Sequence, residues 1–154
     1  MFDESFTNQL KSWNEKISLE KIKFNRGIER ETLRVSHDGS ISKRPHPKSL
    51  GSALTNPYIT TDFAEALIEL VTPKFDNVDD LYSCLQDLHV FTAQNIDEDE
   101  YLWAHSMPCR IEKESDINIA NYGSNDSGML KHVYRKGLRA RYGSIMQCVS
   151  GIHY

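Results

Sequence analysis

Phe6, Leu10, Trp13 and Ile17 recur at steps of four, three and four, the apolar stripe of an amphipathic helix near the start of the chain. A second helix is predicted over 78–95, with Leu81, Leu85 and Leu88 facing inward, Asn77 as N-cap, and Asp79 and Asp80 near the positive end of its dipole. A third is predicted over 128–142. Its apolar side is Leu130, Val133, Tyr134, Leu138 and Tyr142, and Lys131, Arg135 and Arg139 form a basic row at steps of four. That row is either a phosphate-binding surface or a solvated helix face.

Between these helices the period changes to two. In RGIERETLR, 26–34, a strand would project Glu29 and Glu31 to one side and Ile28, Arg30, Thr32 and Arg34 to the other. Two like charges side by side cost free energy unless both face water or a cation lies between them. SIMQCVSGIHY alternates as well, with Ile145, Gln147, Val149, Gly151 and His153 on one side, and predicts a buried strand at the end of the chain. The sequence stops inside that pattern without a turn signal, so a truncated chain is expected. TTDFAEALIELVTP, 60–73, fits either backbone: Val71, Thr72 and Pro73 favour a strand, and Ala64, Ala66 and Leu67 suit a helix. Either backbone keeps Glu65 and Glu69 on one face. SHDGS has turn chemistry, RPHPKSLGS reads as a loop, and the acidic run at 97–100 reads as a solvated surface loop ending the second helix.

Composition narrows the classes. A chain of 154 residues, 39% hydrophobic and 26% charged, is ordinary for one globular unit with a real core. No repeat, low-complexity segment or linker divides it. No apolar run approaches transmembrane length and the first residues are acidic and polar, so a cytoplasmic protein without a membrane partner is expected. A net charge of −4 gives no reason to expect nucleic acid. Cys84, Cys109 and Cys148 are odd in number and scattered, which argues against a disulfide framework and a thiolate zinc site.

The hard donors then stand out. Glu29 and Glu31 share a strand face, Asp62 and Glu69 lie on the next element, and His153 lies on the last strand. Glu69, in the middle of ALIELV, needs a cation, a hydrogen-bond partner or solvent. Carboxylates with one imidazole suit magnesium or manganese better than zinc, and such a cluster organises phosphates. The plainer reading pairs Glu29 and Glu31 with arginines on a neighbouring strand and leaves His153 as a hydrogen-bonded core residue.

RGIERETLR, LGSALTNPYITTDFAEALIELVTP, SMPC, YRKGLRARYG and SGIHY, in this order, closely resemble the N-terminal part of bacterial glutamate–cysteine ligases, over nearly all of 26–154. The resemblance implies an α+β fold similar to that of glutamine synthetase, an antiparallel sheet cupping the active site with helices outside. It also implies that residues 1–154 are the N-terminal portion of one catalytic domain, truncated at the C-terminal end, so the sheet would be incomplete. The implied reaction is ATP-dependent coupling of the glutamate γ-carboxylate to the amine of cysteine, the first step of glutathione synthesis. Glutamate, cysteine and ATP would be the small-molecule partners, the missing C-terminal portion a further one, and Mg2+ or Mn2+ the cofactor.

Carried over by position, Glu29, Glu31, Asp62, Glu69 and His153 match the family's metal ligands. Tyr134, Leu138 and Val149 match the pocket for the cysteine side chain, an apolar lining with one hydroxyl, although plain core explains Leu138 and Val149 as well. Gln147, on the strand face of His153, is a further substrate contact. Where the family shows an Asn and then a basic residue before the third helix, this chain has Asp126 and Met129, so no phosphate contact carries over there. The family's remaining ligands would lie beyond Tyr154, so the chain alone is expected to have little or no ligase activity. The alternatives are a non-catalytic remnant or interaction module that keeps a divalent-cation site, and another carboxylate-metal phosphotransferase.

Overall fold

The computed structural model describes residues 3–17 and 22–154. After helix α1 (Glu4–Lys16) comes strand β1 (Glu29–Ser36), then β2 (Ile59–Thr61), β3 (Leu67–Val71), helix α2 (Val78–Asn95), β4 (Glu100–Leu102), helix α3 (Asp126–Tyr142) and β5 (Ile152–His153). The strands form one antiparallel sheet in the order β2-β3-β1-β4, with β5 also paired to β1. β3 takes one edge of β1 over Glu29–Leu33. β5 and β4 share the other edge, at Glu29–Arg30 and Arg34–Ser36. The chain is therefore α+β, an antiparallel sheet with helices outside it.

Side-chain alternation on β1 decides what each face does. Leu33 and Val35 are buried with Leu67, Phe63, Ala64, Ala66, Ile41, Cys109, Ile117 and Cys148. That anchors the inner half of one face, and a one-residue slip would expel every member to the other side. Glu29 and Glu31 share the parity of Leu33, so they occupy the outer half of the same face. The opposite face carries Ile68, Leu70 and Ile59, covered by Leu50 and by Leu85 and Leu88 of α2. As expected from the sequence, α2 begins behind Asn77, whose side chain accepts from the Asp79 amide at 2.8 Å, and Leu81 is buried.

The undecided segment 60–73 is two strands around a turn. Residues 62–66 hydrogen-bond to a distant stretch: Glu65 N–H donates to Asn118 O (2.9 Å) and Ala120 N–H to Phe63 O (3.0 Å). The turn also reverses the expectation for Glu65, which parts from Glu69. Its carboxylate accepts from the backbone amides of His46 (2.6 Å) and Asn121 (2.7 Å), tying three segments together.

The acidic run at 97–100 is not simply solvated. Arg44 pairs with Asp97 and Asp99, while Glu100 begins β4 and is buried against Arg34, whose Nη1 donates to it at 2.8 Å. Arg34 is fully buried and also donates to the carbonyls of Arg44, Pro45 and Glu65.

Two expectations from periodicity are corrected. The segment 145–151 is no strand: Met146–Cys148 is a short 3-10 turn, with Cys148 N–H donating to Ile145 O at 3.0 Å, and the strand is confined to the exposed Ile152–His153. Gly143, at φ +77°, redirects the chain after α3, and the Ser144 amide donates to the Glu114 carboxylate. Helix α3 also lies with its faces reversed. Leu130, Val133, Tyr134 and Tyr142 are exposed, Leu138 packs against the core, and much of the basic row faces the domain. The α1 stripe of Phe6, Leu10, Trp13 and Ile17 is exposed as well.

Candidate metal centre

Strand pairing builds the site. On the β1–β3 ladder Glu31 stands opposite Glu69, and on the β1–β5 ladder Glu29 stands opposite His153. Thr60 of β2 is the register partner of Glu69 on its other side. Asp62, two residues beyond Thr60, has the same parity and lies near enough to raise the proton affinity of both Glu31 and Glu69. The five residues singled out in the sequence therefore share one wall, at the solvent end of the face whose other end is the core.

Charge is concentrated there with little to offset it. Burial first, then the charges of Asp62, Glu29 and Glu31, push the Glu69 carboxyl up to about 7. Burial also raises Glu31, against the pull of its bond from the Gly151 amide (2.6 Å). His153 is raised by its hydrogen bond with Glu29, Nδ1 to Oε2 at 3.2 Å, and then by the charge of Glu31. A cavity of about 320 Å³ opens beside them, lined by Gly27, Ile28, Glu29, Val71, Thr72, His153 and Tyr154. Gly151 keeps the wall close, because a Cβ there would stand 2.9 Å from His153 Nε2 and 3.4 Å from a Glu31 oxygen.

Glu31, Glu69 and His153, each with a raised proton affinity, fit a hard divalent cation together with the carboxylates of Glu29 and Asp62, and the cation would relieve the crowding of charge there. Among the described residues, no group of three or more His, Cys, Asp or Glu side chains is already arranged to hold a metal ion. The plainer expectation, in which arginines neutralise Glu29 and Glu31, finds no ion pair from an arginine to either among the described residues. Arg30, on the opposite parity, donates to the carbonyls of Glu31 and Ala104.

The basic row of α3 is used, and not for solvent. Arg135 donates through Nε to the Asp62 carbonyl, its Nη2 lies 3.9 Å from the Asp62 carboxylate, and its guanidinium sits 4.8 Å from the centre of the Tyr122 ring. Lys131 approaches the same ring at 5.0 Å, and Arg139 donates to Glu114 O at 3.0 Å. Sequence reasoning missed Tyr122 and misread Glu65 and Glu100, whose roles depend on partners far along the chain. Of the residues matched to a cysteine pocket, Tyr134 and Val149 are exposed and Leu138 is half-buried against the core. Gln147 lies in the 3-10 turn and does not share a strand face with His153.

An antiparallel sheet bearing a carboxylate-and-histidine wall defines the class, and comparison with known proteins gives the family. The glutamate–cysteine ligase family model matches residues 7–154, and the chain belongs to that family. It is 54% identical over 129 residues to a glutamate–cysteine ligase of Serratia proteamaculans, covering 84% of this chain and 25% of that protein. A Pseudomonas putida ligase is 53% identical over 128 residues, 83% of this chain and 24% of its own. Among solved structures, the Francisella tularensis glutamate–cysteine ligase in complex with AMP matches with a TM-score of 0.83 at 49% identity, over 86% of this chain and 26% of that one. A bifunctional glutathione synthetase from Pasteurella multocida matches at 0.73 and 36%, over 82% and 16%. The chain thus spans about a quarter of the length of the curated relatives it matches. Among the described residues no helix is long and apolar enough to cross a membrane.

Proposed function

We propose that this chain is the N-terminal part of a catalytic domain that joins the γ-carboxylate of glutamate to the amine of cysteine at the expense of ATP. The observation that carries the reading is the cross-strand pair Glu31–Glu69 with Glu29, Asp62 and His153 on the same wall, in a chain of the glutamate–cysteine ligase family. The AMP held by the Francisella relative supports nucleotide use.

In the first half-reaction a γ-carboxylate oxygen attacks the terminal phosphorus of ATP, the bond to the bridging oxygen breaks, and ADP leaves. In the second, the amine of cysteine attacks the acyl carbon, phosphate leaves with the bonding pair, and the amine loses a proton. Negative charge crowds both steps, and bound Mg2+ or Mn2+ would supply the neutralising charge. Glu29, Glu31, Asp62, Glu69 and His153 would hold it. Tyr134, Leu138 and Val149 would receive the cysteine side chain, with Gln147 as a nearby polar contact, and the exposure of Tyr134 and Val149 leaves them free for that contact.

The site draws on further polypeptide, so the 154-residue chain by itself turns over no substrate. The test is ADP release by the full-length ligase carrying this segment. Release that requires glutamate, cysteine and Mg2+ together supports the reading, and release with neither amino acid sinks it in favour of another phosphotransferase. A segment that binds Mn2+ but gives no product in any longer form would favour a non-catalytic module.

A further inference from the structure

We propose that Arg135 and Tyr122 form a clamp that fixes the Asp62 peptide against α3, and that both are positioning residues for the cation the carboxylate wall would take. This rests on the metal reading of that wall.

Asp62 follows β2 in a turn, where a backbone without sheet partners would wander. Here its peptide is held on both sides. Its N–H donates to Leu67 O at 3.0 Å, and its carbonyl accepts from Tyr122 Oη at 2.9 Å and from Arg135 Nε. Tyr122 is buried and shares its hydroxyl proton with the Thr61 carbonyl at 2.6 Å, so the two successive carbonyls are aimed at one phenol.

The other end of the clamp is α3. The Arg135 guanidinium lies over the Tyr122 ring, and Lys131 approaches the same ring. The first turn of the helix presses on Tyr122 so closely that a Cβ at Gly128 would stand 2.6 Å from its carbonyl oxygen. The start of the helix meets the Tyr122 backbone, Arg135 meets its ring, and its hydroxyl meets the Asp62 peptide, so the three are linked through one residue.

The carboxylate of Asp62, by contrast, accepts no hydrogen bond among the described residues. Arg135 Nη2 stays 3.9 Å away, a charge without a bond. The arrangement fixes the backbone of the acidic residue and leaves its oxygens to turn toward Glu31 and Glu69. A merely structural salt bridge would take the carboxylate itself. Residues that orient a ligand through a hydrogen bond change metal affinity by about 10–100-fold when removed.

The experiment is titration of the full-length ligase carrying this segment with Mn2+, followed by loss of the free-ion paramagnetic resonance signal, with thermal unfolding recorded without metal. Arg135→Gln is expected to weaken binding by about 10-fold. Tyr122→Phe, which keeps the ring and removes only the hydroxyl, is expected to weaken it several-fold. Because both hold one carbonyl, the double variant should fall well short of the product of the two effects. Arg135→Lys, lacking the Nε donor, should resemble Arg135→Gln. Lys136→Gln, exposed on the same helix, should bind as the parent does. If Arg135→Gln fails to fold, Tyr122→Phe decides. Parent-like affinity in both overturns the clamp and leaves the metal reading intact, whereas a parent chain that binds no Mn2+ overturns the metal reading and the clamp with it.

Discussion

Glu31 and Glu69 face each other across the β1–β3 ladder, two carboxyls in direct register with no lysine or arginine paired to either among the described residues. Like charges opposed on neighbouring strands destabilise a sheet, so the fold carries an electrostatic cost at the place where the chemistry would occur.

That cost should be read in the pH dependence of stability. Glu69 titrates near 7 when folded against an ordinary 4.5, so the folded state binds more protons than the unfolded between those values, and stability falls as pH rises through this window. His153, raised by Glu29, acts in the same direction, because its charged form is favoured by folding and is lost as pH rises. Urea unfolding at pH 5 and pH 8 should differ by roughly 2 kcal/mol from Glu69 after allowance for solvent screening. Glu69→Gln should flatten most of that difference, and saturating Mg2+ at pH 8 should restore the parent's stability. An unchanged slope in the variant would mean Glu69 carries no excess charge energy.

The buried pair Arg34–Glu100 supports the other face of β1. Ser42 also donates to Glu100, and Arg34 Nη2 donates to three carbonyls while its buried Nε has no partner among the described residues. Glu100→Ala strands a guanidinium that water cannot reach, at a cost of about 3–5 kcal/mol in denaturant unfolding. Replacing both partners by apolar residues should cost less than Glu100→Ala alone. The reverse order would show that Arg34 is satisfied by its carbonyls.

What was legible in the sequence follows the range of the interactions that set it. The wall on β1 could be read because its determinants are local: period two, with Leu33 and Val35 to anchor one face. The bounds of α2 could be read because Asn77 and three leucines specify them. The segment 60–73 could not, because its turn is closed by Asn118 and Ala120 from another stretch. Cys148 misled in the same way, buried in the core through a 3-10 turn that alternation imitates. For α3 the apolar stripe pointed the wrong way, because Tyr122 and the Asp62 carbonyl recruit Arg135 inward.

Two glycines of α3 should respond oppositely to the same substitution. At Gly128 a Cβ meets the Tyr122 carbonyl, which is backbone and cannot swing aside, so Gly128→Ala should destabilise by about 1–3 kcal/mol. At Gly137 nothing lies within 4 Å, and Gly137→Ala should stabilise by about 0.5–1 kcal/mol through helix propensity. Thermal unfolding of the two variants separates close packing at the helix start from a generic glycine effect. Equal shifts would contradict it.

The outward stripe of α3 gives the last prediction. Leu130 and Tyr134 are 72% and 60% exposed, one helical turn apart, and Val133 lies between them at 58%. Truncating or charging a side chain that contacts so little removes no packing, so Leu130→Lys should change the unfolding free energy by no more than about 0.5 kcal/mol. The same variant should lower binding of a hydrophobic dye and reduce self-association at high concentration, since contiguous exposed apolar surface drives both. If Leu130→Lys instead costs about 2 kcal/mol or more, the stripe is core and α3 sits with its apolar face inward after all. A neutral effect on folding with a clear effect on dye binding is what an inverted amphipathic helix requires, because its polar face already makes the intramolecular contacts.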